Sequence, residues 1–328
     1  MNKALKEIIS SVERELALFT TRYMQALDSG STTLSSALEH LYASMGKQVR
    51  PAILLLTAKC FRPISDPILD AAVYIELLHT ATLIHDDVVD NTPRRRGIPA
   101  LHSIMDNKAA VLVGDYLLST SLYLAVKSNS MAVLDVLMAL GRELSEGELY
   151  QLDLAHTDAP TEEQYLNIIK KKTAYLIASA MKIGVLLSDV TDEEVIDRIF
   201  HAGILLGYAF QIKDDIFDYQ EASSNKDLGK PVGNDLREHK VTLPLIYALE
   251  KASDAEKYRE ILKEEKLSDE QITTLISFAR ENGGIEYAQQ QVDRYIAEAV
   301  AILERFVPEG EAKRDLIALC HFVGSRKR

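Results

Sequence analysis

From end to end this chain repeats its apolar residues at helical spacing, and no stretch alternates apolar and polar residues as a half-buried strand does. A sequence written this way buries its hydrophobic stripes by packing helix on helix. Only 15 Gly and 9 Pro interrupt 328 residues, and the abundant Ala, Leu, Glu and Lys are strong helix formers. Helix starts are legible. Asp66-Pro67 reads as a cap followed by proline at the first helical position. Thr161 with Gln164, Thr191 with Glu194, and Ser268 with Gln271 fit the capping box, in which two orphan backbone donors are satisfied reciprocally. The spacing predicts helices over 2–28, 34–44, 51–60, 67–90, 108–127, 130–155, 162–188, 192–220, 242–251, 254–265, 269–282, 284–306 and near 310–323. The expected fold class is all-α. Length alone would allow two domains, but no repeat or low-complexity linker divides the chain, so 1–328 reads as a single helical domain.

A hydrophobic share of 47% is enough for a large core, and a net charge of −12 argues against a nucleic-acid partner, which needs a clustered basic face. Cys60 and Cys320 lie far apart in apolar helical contexts and read as reduced core thiols. The first residues, MNKALKEIISSVERE, lack the apolar centre of a signal peptide. No apolar run is read as approaching the ~20 residues of a membrane span. The expectation is a soluble, cytoplasmic protein without a transmembrane segment.

Two connections, 91–107 and 221–240, are long, charged and poor in apolar residues, which is more typical of binding loops than of spacers. Each follows an aspartate cluster. LIHDDVVDNTPRRRG places Asp86, Asp87 and Asp90 just before Arg94, Arg95 and Arg96, and FQIKDDIFDYQ repeats the aspartate spacing at Asp214, Asp215 and Asp218. Residues four apart on a helix share a face, so Asp86 pairs with Asp90 and Asp214 with Asp218. Like charges so placed repel unless a cation joins them. One such cluster would suit a solvated acidic helix end equally well. Two copies, each closing a long apolar helix and followed by a basic loop, point to magnesium, which is held by one or two carboxylates plus substrate phosphates. Lys226 and Lys230 follow the second cluster, KKKTA occupies 170–174, and MGKQVRPAILL sets Lys47 and Arg50 before a buried helix. Arginine forks suit bidentate phosphate contacts, and lysines act as point charges.

In this order GKQVRP, ELLHTATLIHDDVVD, RRG, AVLVGDYLL, EGELYQL, KKKTAYL, GYAFQIKDD, LGKPVGNDL and KVTLPL resemble the trans-isoprenyl diphosphate synthases, or polyprenyl synthetases, from about residue 45 to the end. The resemblance implies an isoprenoid-synthase fold of long, mostly antiparallel helices around a central apolar cavity, acting as a homodimer. It implies metal sites at Asp86 and Asp90, with Asp87 in support, and at Asp214 with Asp215 and Asp218. Three magnesium ions per site would be held once diphosphate binds. Arg95, Lys172 and Lys230 are similar to contacts of the allylic diphosphate, and Lys47, Arg50, His79 and Arg96 to the isopentenyl diphosphate pocket. Thr173 and Gln211 resemble groups along the route of the carbocation. His85 is read as structural, and His40, His156, His201 and His321 carry no assigned role. Departures from the pattern are His102 and Asp106, where asparagine and glycine are frequent, and His239, which replaces a frequent glycine.

The reaction implied is ionisation of an allylic diphosphate, attack by isopentenyl diphosphate and loss of a proton, which needs no nucleophilic side chain. A class I terpene cyclase would lack the second phosphate pocket, and a non-catalytic subunit of a heteromeric synthase would lack part of the metal set. Ala81 and Thr82, one turn below Asp86, are small where short-chain members often place an aromatic ring. The reading is therefore a long-chain all-trans product, for example for a quinone side chain, with peripheral membrane association for its release. The alternative is a farnesyl or geranylgeranyl product, with the cavity closed lower down by Tyr74 or by Leu134, Leu137 and Met138.

Overall fold

The computed structural model describes residues 3–27, 31–43, 46, 48–95, 97–154, 159–220 and 233–326. In chain order the helices are α1 (Lys3–Ile8), α2 (Glu13–Ala26), α3 (Thr32–Ala43), α4 (Val49–Phe61), α5 (Asp66–Val89), α6 (Leu101–Ile104), α7 (Asn107–Lys127), α8 (Met131–Leu154), α9 (Glu162–Ile169), α10 (Tyr175–Leu186), α11 (Glu193–Asp218), α12 (Asn234–Arg237), α13 (Leu243–Lys251), α14 (Glu256–Leu262), α15 (Asp269–Glu281), α16 (Gly284–Phe306) and α17 (Glu311–Ser325). The fold is all-α. Among the described residues the strands are β1 (Arg94–Arg95) and β2 (Ile98–Pro99), paired antiparallel with Arg94 opposite Pro99. Contacts group the chain into two compact units. The first comprises Met1–Gly141, Ile177–Phe200 and Ile302–Leu319, and the second Arg142–Leu176, His201–Ala301 and Cys320–Arg328.

In the first unit α5 packs against α2, α4 and α7. Its buried residues run almost without a break from Ile68 to His79, the mark of a helix enclosed on all sides. Leu54, Leu55 and Leu56 of α4 and Tyr74, Ile75 and Leu77 of α5 are fully buried. Gly184 of α10 lies against the Leu54 carbonyl, where a Cβ would be in close contact. In the second unit α13 packs on α9, α14 and α15. Tyr219, Leu245, Leu249, Leu275 and Phe278 are buried together there.

Several expectations are corrected. The predicted first helix, 2–28, is broken by a 3-10 turn at Ser10–Val12. Helix α5 starts at Asp66 with Ser65 as its cap position, and the Asp66 side chain instead meets Arg22. The capping boxes at Thr161 and Ser268 form as read, whereas at α11 the amides of Glu194 and Val195 donate to Asp192, so Asp192 and not Thr191 is the side-chain cap. Among the described residues three helices, α5, α7 and α11, are by length and composition long and apolar enough to cross a membrane, against the expectation of none. Their polar residues are spread out, so each helix qualifies although it interleaves apolar and polar positions. The most apolar stretch is 72% buried within the fold in α5, 56% in α11 and 33% in α7.

Candidate active site

Helix α5 ends at the first aspartate cluster. Asn91 takes the left-handed conformation (φ 47°), its amide donates to Val88 and that of Thr92 to Asp87, so the last carbonyls are satisfied by a Schellman turn. Pro93 then leads into the hairpin, whose turn contains Gly97 at φ 83°. This reversal carries Arg95 back onto Asp87. The guanidinium Nε donates to both carboxylate oxygens at 2.8 and 2.9 Å, and a terminal nitrogen sits 2.7 Å from Oδ1. Asp87 is buried, Asp86 half-buried and Asp90 exposed. Adjacent is an open cleft with about 610 Å³ of empty space, lined by Tyr23, His40, Glu76, His79, Thr80, Asp87 and Arg95.

His79 is buried and faces this cleft. His40, which the sequence left without a role, places Nε2 2.9 Å from the Pro99 carbonyl and so ties α3 to the hairpin bearing Arg95. His85 packs on Gly114 of α7, with Nε2 3.3 Å from the Val111 carbonyl and 3.4 Å from Asp115. Arg50 is half-buried in the first turn of α4, behind Gln48 at φ 54°, a left-handed conformation that glutamine seldom adopts. Lys47 and Arg96 lie outside the described residues. Ala81 is buried, and Thr82 is half-buried with its hydroxyl donating to the His79 carbonyl at 2.8 Å.

The second unit holds the other cluster, at the end of α11. Asp215 is buried and accepts from the Tyr165 phenol at 2.6 Å and from Gln211 Nε2 at 2.8 Å, while Thr173 donates to Gln211 at 2.8 Å. Burial, then the charges of Asp235 and Asp214, push the Asp215 carboxyl well above the usual carboxylate range, against the two hydrogen bonds. Burial and the neighbouring Asp215 raise the Tyr165 phenol, which stays a donor. Both carboxylate oxygens of Asp218 accept backbone amides, from Asn234 at 3.2 Å and Asp235 at 2.9 Å, so this residue anchors the start of α12. Asp214 is the half-exposed member, and Arg326 approaches it to 2.7 Å.

The KKKTA motif forms a π-helical turn, Lys170–Ala174, between α9 and α10. Such turns often mark functional positions because the extra residue re-aims neighbouring side chains. Two glycines receive it: a Cβ on Gly147 of α8 would strike Lys171, and one on Gly207 of α11 would strike Ala174. Lys171 binds Glu143 and Glu146, each at 2.7 Å, and these hydrogen bonds raise its pKa. Lys172 lies 2.6 Å from Glu148 and donates to Gln151 at 3.0 Å. Glu148 and Gln151 belong to EGELYQL, a motif visible in the sequence but without an assigned role. Tyr165 and Arg326 carried no local signal. Lys226, Lys230 and His156 lie outside the described residues.

Two of the three departures from the pattern, Asp106 and His239, acquire a structural account. Asp106 caps α7, accepting from the Ala109 amide at 2.7 Å. His239 holds φ 55°, which explains why glycine is frequent there, and its ring lies 2.9 Å from the Glu265 carbonyl. His102 lies in α6 with a buried Nδ1. Of the three α8 residues that could close the cavity, Met138 is 56% exposed, Leu137 is buried and Leu134 half-buried.

Among the described residues no three His, Cys, Asp or Glu side chains converge to hold a metal unaided. The donor set still fits magnesium shared with phosphate. Asp86 and Asp90 share a face at a helix end, and Asp214 already seats a guanidinium, so its oxygens accept a cation.

The sequence model of the family described as polyprenyl synthetase matches residues 31–278. The chain is 33% identical to heptaprenyl diphosphate synthase component 2 of Bacillus subtilis (strain 168), over 98% of this chain and 89% of that protein. It superposes with a TM-score of 0.89 on polyprenyl synthase from Caulobacter crescentus CB15, complexed with calcium and isoprenyl diphosphate, at 30% identity over 100% of both chains. Against geranylgeranyl pyrophosphate synthase from Bacteroides thetaiotaomicron the TM-score is 0.84, with 35% identity over 99% of this chain and 100% of that one.

Proposed function

Because the chain belongs to the polyprenyl synthetase family and is a prenyltransferase, we propose that it joins isopentenyl diphosphate head-to-tail to an allylic diphosphate, giving a long-chain all-trans polyprenyl diphosphate. The family is generally metal-dependent, and magnesium is proposed here, three ions per site with diphosphate bound. The observation that carries the reading is the end of α5, where Asp86 and Asp90 share a face beside Arg95 and a cleft lined by His79. Magnesium would supply neutralisation of the charge that grows on the departing diphosphate. Asp86 and Asp90 would hold it at the first cluster and Asp214 at the second, with Asp218 supporting Asp214 by fixing the start of α12. Arg95, Lys172 and Lys230 would orient the allylic diphosphate, while Lys47, Arg50, His79 and Arg96 hold isopentenyl diphosphate with its double bond toward the reacting carbon. Positioning of this kind can remove several kcal/mol of barrier, roughly 7–11 at the upper limit. Thr173 and Gln211, hydrogen-bonded to each other, would line the path of the developing cation.

Residues 1–328 are proposed to act as one catalytic domain, supported by relatives that match the chain over nearly its whole length. A homodimer is proposed as well. Leu112, Tyr123 and Val126 are exposed along one face of α7, which gives a second copy an apolar surface to cover. The relative named as component 2 favours a second reading, the catalytic half of a heteromeric synthase. Peripheral membrane association would serve release of a long product. The test is incubation of the purified chain with labelled isopentenyl diphosphate, magnesium and an allylic primer, followed by mass spectrometry of the dephosphorylated product. Condensation is expected from the chain alone. Cyclised hydrocarbon would indicate a terpene cyclase, and no product without a second protein would support the heteromeric reading.

A further inference from the structure

Arg326 stands one residue beyond α17, its amide donating to the Phe322 carbonyl at 2.9 Å. Within the second unit its guanidinium is packed as closely as a core group. It meets Asp214 at 2.7 Å, donates to the Phe210 carbonyl at 2.9 Å, and lies 4.2 Å from the centroid of the Phe210 ring and 5.6 Å from that of Phe217. Only 15% of its side chain is exposed. Exposed ion pairs hold their partners weakly, whereas an arginine stacked on aromatic rings and paired with a carboxylate is a built contact. Phe210, Asp214 and Phe217 fall at i, i+4 and i+7 of α11, within about 60° of one another, so one helix face forms a seat for a planar cation.

The same carboxylate is the half-exposed member of the second aspartate cluster. A guanidinium and a divalent cation on one carboxylate would repel each other strongly in a partly buried site. We propose that Arg326 is an internal competitor for the cation at Asp214. The arginine and the metal exclude each other, the C-terminal end of α17 releases when metal binds, and Arg326 sets the cation affinity of the site. The inference rests on the reading of Asp214 as a metal ligand and goes beyond it. Linkage makes the effect reciprocal: whatever Arg326 costs the metal, the metal costs the docking of Arg326.

The test is Mn2+ binding to the full chain at a fixed concentration of inorganic diphosphate, with free Mn2+ read by electron paramagnetic resonance against a protein-free control. Wild type, Arg326→Gln, Asp214→Asn and the double variant are compared, with helicity checked by circular dichroism. Arg326→Gln is expected to bind Mn2+ about fivefold or more tightly than wild type, at the low end of typical coupling between sites. The gain is expected to vanish in the Asp214→Asn background. Arg326→Lys keeps the charge without the planar stack and is expected to fall between wild type and Arg326→Gln. Unchanged or weaker binding by Arg326→Gln, with Asp214→Asn still lowering affinity, would overturn the competition while leaving the metal site standing. If Asp214→Asn alters Mn2+ binding in neither background, the metal assignment itself fails and the competition with it.

Discussion

Asp87 and Arg95 account for the odd composition of DDVVDNTPRRRG. The middle aspartate of the cluster is buried and held by an arginine fork, while Asp86, half-buried, and Asp90, exposed, stand beside it at the helix end. The second cluster divides its work similarly: Asp215 is enclosed by Tyr165 and Gln211, Asp218 holds backbone amides, and Asp214 takes a cation. Asp86→Ala and Asp214→Ala are therefore each expected to lower turnover by about a thousandfold or more, roughly 4 kcal/mol of transition-state stabilisation, with circular dichroism unchanged. Near-normal steady-state rates would show that the ligands are misassigned. Arg50→Ala should raise the Michaelis constant for isopentenyl diphosphate far more than that for the primer, since it weakens the binding of one substrate only. The identity of these residues was legible because ionisable groups recur at fixed spacing. Their division of labour was not, because it depends on Tyr165 and Arg326, which come from elsewhere in the chain. Cys320 is buried, as the sequence reading has it, whereas Cys60 is half-buried; both are free thiols. Burial raises both thiols from 9 to about 12, so at pH 8 only about one in ten thousand is thiolate. Native protein is expected to resist iodoacetamide at pH 8 and to take up two alkyl groups only after denaturation, as counted by intact mass.

At the scale of elements, long helices announce themselves by period and caps, and the predicted α5, α7, α15 and α16 lie within about two residues of those observed. The hairpin at 94–99 and the four-residue helices α6 and α12 escaped because two or four residues are too short to show a period. The π-turn at Lys170–Ala174 was also invisible, although its supports are in plain view as Gly147 and Gly207. These glycines yield a paired prediction. Gly141 of α8 has open space where a Cβ would go, so Gly141→Ala should stabilise by about 0.5–1 kcal/mol through helix propensity. Gly207→Ala receives the same propensity gain but forces its methyl into Ala174, and overpacking of this kind costs about 1–3 kcal/mol. The first variant is expected to melt above wild type and the second below it, with lower activity because Lys172 and Thr173 ride on the displaced turn. Thermal melts followed by circular dichroism, with initial rates on the same samples, check both.

For the molecule as a whole, the all-α class followed from the pervasive helical period, and the family from the order of its motifs. Product length follows from neither, since relatives named for heptaprenyl and geranylgeranyl products are similar to the chain at nearly the same identity. The positions proposed to set it, Ala81 and Thr82, lie below Asp86 on α5. Ala81 is buried and small, and Thr82 has its hydroxyl satisfied by the His79 carbonyl, so neither places a ring one turn below the carboxylate. Tyr74 is seven residues before Ala81, on nearly the same face and about 10 Å lower by helix rise. It is fully buried, and Ser121 of α7 donates to its carbonyl at 2.8 Å, which fixes the backbone there. A prenyl tail that passes Ala81 would meet Tyr74 as the first aromatic ring on that face. Ala81→Phe is therefore expected to shorten the product sharply while condensation continues, and Tyr74→Ala to lengthen it, each read from the mass of the dephosphorylated alcohol. If the wild-type chain already stops at farnesyl or geranylgeranyl diphosphate, the long-chain reading fails. If Tyr74→Ala leaves the product distribution unchanged while Ala81→Phe shortens it, the channel bends away from this face above Tyr74, and Leu137 becomes the residue to truncate.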